Sequence, residues 1–272
     1  MSLQAKSRKQ GEKLDRIRYG AKPTRRSREI EATAAEIWST AVTAVYQTDP
    51  DIIAAVLPKP LEPSAEPLVR LTITSVEMPG LPVFGAGWLG VAARHGEVEG
   101  EYPLFMPMTT EQSVIGGRDT YGEPKKIADV WARRDGDTID AGIARMGSTV
   151  CEIHGTVTER REPYEKTKRD FWFKVSPSAE VPGELDQDPL LVYGEKTEKA
   201  RVHEGIDGEL ILGDAPLDPV ADLEVRRLVD INWTERASTQ VGRIIGPVPR
   251  ENLAPFLHQR YDDLSVLGAD HD

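Results

Sequence analysis

What this sequence lacks narrows its chemistry before anything it contains. Its 272 residues include a single cysteine, Cys151, which excludes an internal disulfide, and five histidines that form no Cys/His cluster of the kind zinc requires. No apolar run approaches the ~18 residues that a membrane-crossing helix needs. The N-terminus is polar and basic and has no apolar leader core, so the expected compartment is the cytoplasm. No repeat of fixed period is visible, which excludes a solenoid or propeller array. Aromatic residues are only 6% of the chain, and Trp38, Trp88, Trp131, Trp172 and Trp233 are scattered in the manner of core residues.

What is present suits a globular domain. Hydrophobic residues make up 39% and charged residues 29%, and the chain is long enough to bury a sizeable core. The net charge of −11 is unevenly placed. Residues 1–30 carry ten basic and three acidic side chains, a local balance of +7 that leaves −18 for the rest. This basic arm lacks the aromatic interleaving of a nucleic-acid binder. An extended arm, disordered or resting on an acidic neighbouring subunit, is the expectation. A single domain over 31–265 and a short tail, 266–272, complete the division.

The pattern along the chain is mainly β. Trp38, Thr40, Val42, Ala44 and Tyr46 share one face at period two, predicting a strand. Asp49-Pro50 marks a helix start over 51–57, stopped at Pro58. Strands follow over 68–78, 88–94 and 101–108, with the glycine-rich stretch 80–90 expected to turn. Thr109-Thr110-Glu111-Gln112 has capping-box spacing and predicts a short helix running into Gly116. Strands over 127–133, 138–146 and 149–160 are separated by the hairpin turns Asp135-Gly136-Asp137 and Met146-Gly147-Ser148. Further strands are expected over 171–175, 198–204, 209–212 and 228–234. A polar excursion spans 176–189. An amphipathic helix over 250–262 carries Leu253, Phe256, Leu257 and Tyr261. Short strands with turns every eight to twelve residues, and no strand–helix alternation, predict a barrel or a pair of packed sheets.

The stretch from Gly116 to Ala128 is where chemistry is expected. Glycines and Pro124 break the backbone, and Lys125-Lys126 follow where a strand run begins, a placement that fixes side chains at a pocket mouth. A lysine pair alone is ordinarily a solvated surface feature. Other candidates have plain readings. His154 and Glu152 read as an exposed pair on a two-faced strand, His203-Glu204 as a strand end, and Arg118 as a carboxylate binder or a tie between loops. Gly85-Ala86-Gly87-Trp88 is no phosphate loop, because no helix start follows it.

Gly117-Arg118-Asp119 followed by Pro124-Lys125-Lys126 resembles the Gly-Arg-Glu…Pro-Lys-Lys signature of the acetoacetate decarboxylase family. The resemblance extends to Val45-Tyr46-Gln47-Thr48-Asp49 with Leu57-Pro58-Lys59-Pro60-Leu61, to Pro67-Leu68-Val69-Arg70, to Phe173-Lys174-Val175-Ser176-Pro177 and to Val202-His203-Glu204. It implies a conical antiparallel β-barrel with a few short helices and a homo-oligomer. It also implies a lysine that forms a Schiff base with a small keto acid, and no metal or organic cofactor. By position that lysine is Lys125, with Lys126 as the neighbour that perturbs its basicity. Thr72 falls where the family carries a glutamate, and Arg118, Thr72 and Trp131 are the substrate-binding candidates.

Such chemistry needs a neutral amine, favoured by desolvation or by a nearby cation. Burial alone moves lysines by up to about 3–5 pKa units. A second ammonium about 11 Å away contributes roughly one. Desolvation is therefore assigned the larger share. Lys125 shares its strand parity with Ile127 and Trp131, which are expected to line the pocket. The expected reaction is decarboxylation of a 3-keto acid. The alternatives are an aldolase or dehydratase reaction of a 2-keto acid on the same lysine, and a barrel that binds without turnover.

Overall fold

The computed structural model describes residues 38–78 and 82–267. The basic arm lies outside these residues. Twelve strands are hydrogen-bonded into one sheet that closes on itself. The closed part has seven strands. In spatial order these are β10 (Tyr164–Lys174), β5 (Val98–Met108), β4 (Phe84–His95), β3 (Leu68–Glu77), β1 (Trp38–Gln47), β12 (Arg227–Pro247) and β11 (Leu190–Leu212), with β11 pairing back onto β10. The neighbours are antiparallel, except that β10 meets β5 through a parallel bridge between Asp170 and Glu101. β2 (Glu62–Pro63) pairs with β4, and β6 (Lys125–Ile127) pairs parallel with the end of β5. The expected barrel is present.

A second layer grows from the far half of β11. There β9 (Ser148–Arg160), β8 (Thr138–Arg145) and β7 (Asp129–Asp135) continue the sheet and fold back over the outside of β1, β3 and β4. Much of the hydrophobic core lies between barrel and layer. Val42, Ala44, Tyr46, Val69, Leu71 and Ile73 on the barrel's outer face are buried with Ile139, Ile143, Val150 and Ile153 of the layer. The period-two apolar face read on β1 is thus the outward face, and the barrel's inside is left to other residues.

Several expected boundaries need correction. Residues 80 and 81 lie outside the described residues, and from Phe84 onward the expected turn over 80–90 is absent: β4 runs unbroken from Phe84. Its glycines are there for close packing, since a Cβ on Gly85 would strike Val130 of β7 and one on Gly87 would strike Pro107 and Ile143. The separate strands expected at 198–204 and 209–212 are one strand of 23 residues. It changes partner along its length, from β10 and β12 to β9. Pro255 and the preceding turn split the expected C-terminal helix into α3 (Arg250–Leu253) and a 3₁₀ segment over Ala254–Gln259. Helix α1 (Pro50–Val56) is as expected, with Asp49 accepting from the Asp51 N–H at 2.9 Å.

Helix α2 (Glu111–Tyr121) differs most, because it runs straight through Gly116 and Gly117. Thr110 is its N-cap residue, but its hydroxyl contacts Ser113 instead of a backbone N–H. The helix stops at Gly122, whose φ of 80° and ψ of 27° suit glycine. The N–H groups of Gly122 and Glu123 catch the Arg118 and Gly117 carbonyls. Pro124 then removes a donor, and the chain enters β6 beside β5.

Candidate active site

Lys125 and Lys126 point to opposite sides of β6, as adjacent residues of a strand must. Lys126 is the more deeply buried of the two. Its ammonium lies 2.9 Å from Asp218 and 2.9 Å from Asp262, and 3.4 Å from the Leu217 carbonyl. Arg145 completes the group, bonding the other oxygens of both carboxylates. Two cations and two carboxylates leave this cluster with no net charge.

Lys125 sits elsewhere. Its side chain is 14% exposed, and its Nζ is 2.8 Å from Glu123 Oε2, a carboxylate that is 2% exposed. Glu123 Oε1 accepts from Gln240 Nε2 at 2.9 Å. Gly117 gives the pair its room: a Cβ there would overlap the Glu123 carboxylate and stand 2.6 Å from Lys125 Cδ. Arg118 holds the strand from behind, its Nη1 donating to the Lys125 carbonyl at 2.9 Å and the Arg260 carbonyl at 3.1 Å. Its guanidinium lies over the Tyr261 ring. These bonds tie the backbone of β6 to the C-terminal segment.

Lys125 and Ile127 share one side of β6, but that side does not continue to Trp131. Ile127 is 52% exposed, and the strand breaks at Ala128, so β7 starts a new parity. Trp131 lies on β7 and packs against Gly142 of β8. Thr72 is buried inside the barrel, 3.1 Å from the Thr43 hydroxyl. His154 lies on the outer layer, 3.3 Å from Asp140.

The barrel interior is strongly polar. Register places Arg236, Ser238 and Gln240 of β12 opposite Ala200, Glu198 and Lys196 of β11, and these last two opposite Lys166 and Lys168 of β10. Contacts reach across intervening strands: Arg70 on β3 bonds Glu101 on β5 at 2.6 Å, past β4. Glu198, 2% exposed, gathers Arg236 and Lys168 at 3.3 Å, Lys196 at 3.6 Å and Lys166 at 3.9 Å. Burial alone would raise the Glu198 carboxyl, but these cations hold it well below the ordinary carboxylate range. Burial, helped by Arg70, lowers the Lys168 amine to about 7. Burial, helped by Glu101, raises the Asp170 carboxyl to about 7. Trp172 and Tyr121, their rings 5.2 Å apart, pack beside Gly194 and Gly242, two residues along the strands from Lys196 and Gln240. Lys125 and Glu123 therefore stand next to one end of a charged interior, joined to it through Gln240.

None of these interior residues was singled out from sequence. Lys166, Lys168 and Asp170 alternate along β10, but Glu165, Thr167 and Arg169 between them are polar too, so no contrast marks the inward face. Among the described residues no group of three or more His, Cys, Asp or Glu side chains is arranged to hold a metal, and no helix is long and apolar enough to cross a membrane.

A family model described as acetoacetate decarboxylase matches residues 20–245, most of the chain. The chain belongs to the acetoacetate decarboxylase family. An acetoacetate decarboxylase of Clostridium acetobutylicum is 27% identical over 195 residues, covering 68% of this chain and 77% of its own. A solved acetoacetate decarboxylase superposes with a TM-score of 0.70 at 19% identity, covering 79% of this chain and 91% of that one. The enduracididine biosynthesis enzyme MppR, solved with pyruvate, superposes at 0.65 with 17% identity, over 78% of this chain and 90% of that one. These superpositions place the acetoacetate decarboxylase fold on this chain. Lys125 and Glu123 lie within the matched region.

Proposed function

We propose that this member of the acetoacetate decarboxylase family is a Schiff-base-forming lyase that decarboxylates a small 3-keto acid, with Lys125 as the nucleophile. The observation that carries this reading is the Lys125–Glu123 contact of 2.8 Å, nearly shut off from solvent at one end of the polar barrel interior. A nucleophilic amine must first lose a proton, and Glu123 is in contact to take it. The Lys125 nitrogen then adds to the ketone carbon, and loss of water gives an iminium. Carbon dioxide leaves, its bonding electron pair flows into the iminium, and an enamine results. Protonation at carbon and hydrolysis release the ketone and return the amine. Gln240 fixes the second oxygen of Glu123, and Arg118 fixes the backbone of Lys125.

Lys126 has a structural part in this reading. Its cluster with Asp218, Asp262 and Arg145 is balanced, so it presents Lys125 with no net charge. Thr72 belongs to the interior wall, and Trp131 supports β8. A homo-oligomer is part of the proposal, to be read by light scattering.

The test is carbon dioxide release from a panel of 3-keto acids. Wild type should release it and Lys125→Ala should not. Release by both proteins, or by neither, would remove decarboxylation through Lys125 from consideration. Consumption of a 2-keto acid with an aldehyde, without carbon dioxide, would favour the aldolase alternative.

A further inference from the structure

The barrel interior holds more positive charge than its own carboxylates balance. Glu198 carries one negative charge and has four cations within 3.9 Å. Of the other interior carboxylates, Glu101 is taken by Arg70, and Asp170, raised to about 7 by burial, is offset by Lys168, lowered to about 7 by burial, so Lys166, Lys196 and Arg236 still outnumber Glu198. Arg236 is 5% exposed, and its Nε has no hydrogen-bond partner. Unpaired donors and surplus cations in a buried site are costly unless an anion completes them.

The surplus lies in line with the candidate nucleophile. Glu123 bonds Gln240, Gln240 is the register partner of Lys196, and Lys196 is the register partner of Lys168. Adjacent strands are about 5 Å apart, so Lys196 and Lys168 stand one and two strand spacings from the Gln240 strand, on which Arg236 itself lies. A cavity of about 560 Å³ is lined by Arg70, Glu101 and Lys168 and so reaches the Lys168 edge of this group.

We propose that the substrate is a keto acid with a second anionic group, a short keto diacid, whose distal carboxylate is held by Lys168, Lys196 and Arg236 while its ketone meets Lys125. The part played by the ketone rests on the lyase reading above; the anion site stands on the interior charges alone. Lys168 supports the assignment in a second way. Burial and Arg70 lower its amine to about 7, and a bound carboxylate would restore the ammonium.

The two claims are tested separately. Calorimetry with glutarate and butyrate, neither of which has a ketone to react, should show glutarate binding at least about tenfold more tightly to wild type and to Lys125→Ala. Lys168→Gln and Arg236→Gln should each lose most of that preference while butyrate binding stays the same, and Arg236→Lys should recover part of it. Equal affinity of wild type for the two acids overturns the proposal whether or not any variant folds, as does a preference that survives both Gln variants. Borohydride trapping of 3-oxoglutarate against acetoacetate gives the second readout. Wild type should be half-trapped at a roughly tenfold lower concentration of the diacid. A glutarate preference with no trapping would leave the anion site and remove the Lys125 chemistry; trapping with no preference would do the reverse.

Discussion

At the residue scale, two adjacent lysines have been given opposite work. Lys126 is 6% exposed in its side chain and is shared by Asp218 and Asp262. Lys126→Met should destabilise the fold by about 3–5 kcal/mol, because it leaves two carboxylates facing Arg145 alone. Denaturant unfolding measures that cost, and a loss below about 1 kcal/mol would show that the cluster is decorative. Keto-acid adduct formation should survive in the same variant. Glu123→Gln keeps the shape and the Gln240 contact but removes the proton acceptor, so adduct formation should slow by about a hundredfold or more. An unchanged rate would take Glu123 out of the mechanism. The sequence pointed to Lys125 through its resemblance to a family signature. Glu123 lies inside the same stretch, but nothing local singles it out, since the sequence does not reveal that a helical glycine makes room for it.

At the element scale, α2 supplies a paired test. Gly116 and Gly117 both lie inside the helix, where glycine costs about 1 kcal/mol relative to alanine. A Cβ on Gly116 meets nothing within 4 Å, so Gly116→Ala should raise stability by about 0.5–1 kcal/mol and leave adduct formation alone. A Cβ on Gly117 meets Glu123 and Lys125, so Gly117→Ala should sharply reduce adduct formation while the fold stays cooperative. Parallel trapping and thermal melts read both, and equal trapping by the two variants would contradict the close approach. Elements with one apolar and one polar face were legible in the sequence: β1, β8 and β9 fall within two residues of expectation. Those that failed have a physical reason. β4 carries glycines that read as turns but serve packing, and the long β11 is polar on both faces from Glu195 to Lys199, so that part gave no period-two signal.

At the scale of the whole molecule, much of the apolar core lies between the barrel and its second layer, and the charged groups fill the barrel. That inversion follows from having two sheets, and the sequence alternation alone did not say which face of each strand was which. It leaves a signature in the pH dependence of stability. Asp170 has a folded-state value raised to about 7 from an ordinary 3.8, so the folded protein holds a proton that the unfolded chain has released. Its contribution therefore falls as pH rises from about 4 to 7. Lys168 is lowered to about 7 from 10.5, so here the unfolded chain holds the extra proton, and the contribution rises from pH 7 towards 10.5. Asp170→Asn should remove the first slope and Lys168→Met the second, read as wild-type minus variant thermal midpoints across pH. Flat differences would mean that the barrel interior is wetter than its packing indicates.

The central claim is that Lys125 is the covalent nucleophile. Wild-type protein incubated with acetoacetate and 3-oxoglutarate, reduced with borohydride, digested and mapped by mass spectrometry tests it most directly. The account predicts one reduced adduct on Lys125, absent from Lys125→Ala and present in Lys126→Met. An adduct on Lys126 or Lys168, or none with any keto acid across the pH range in which the protein is folded, would contradict it.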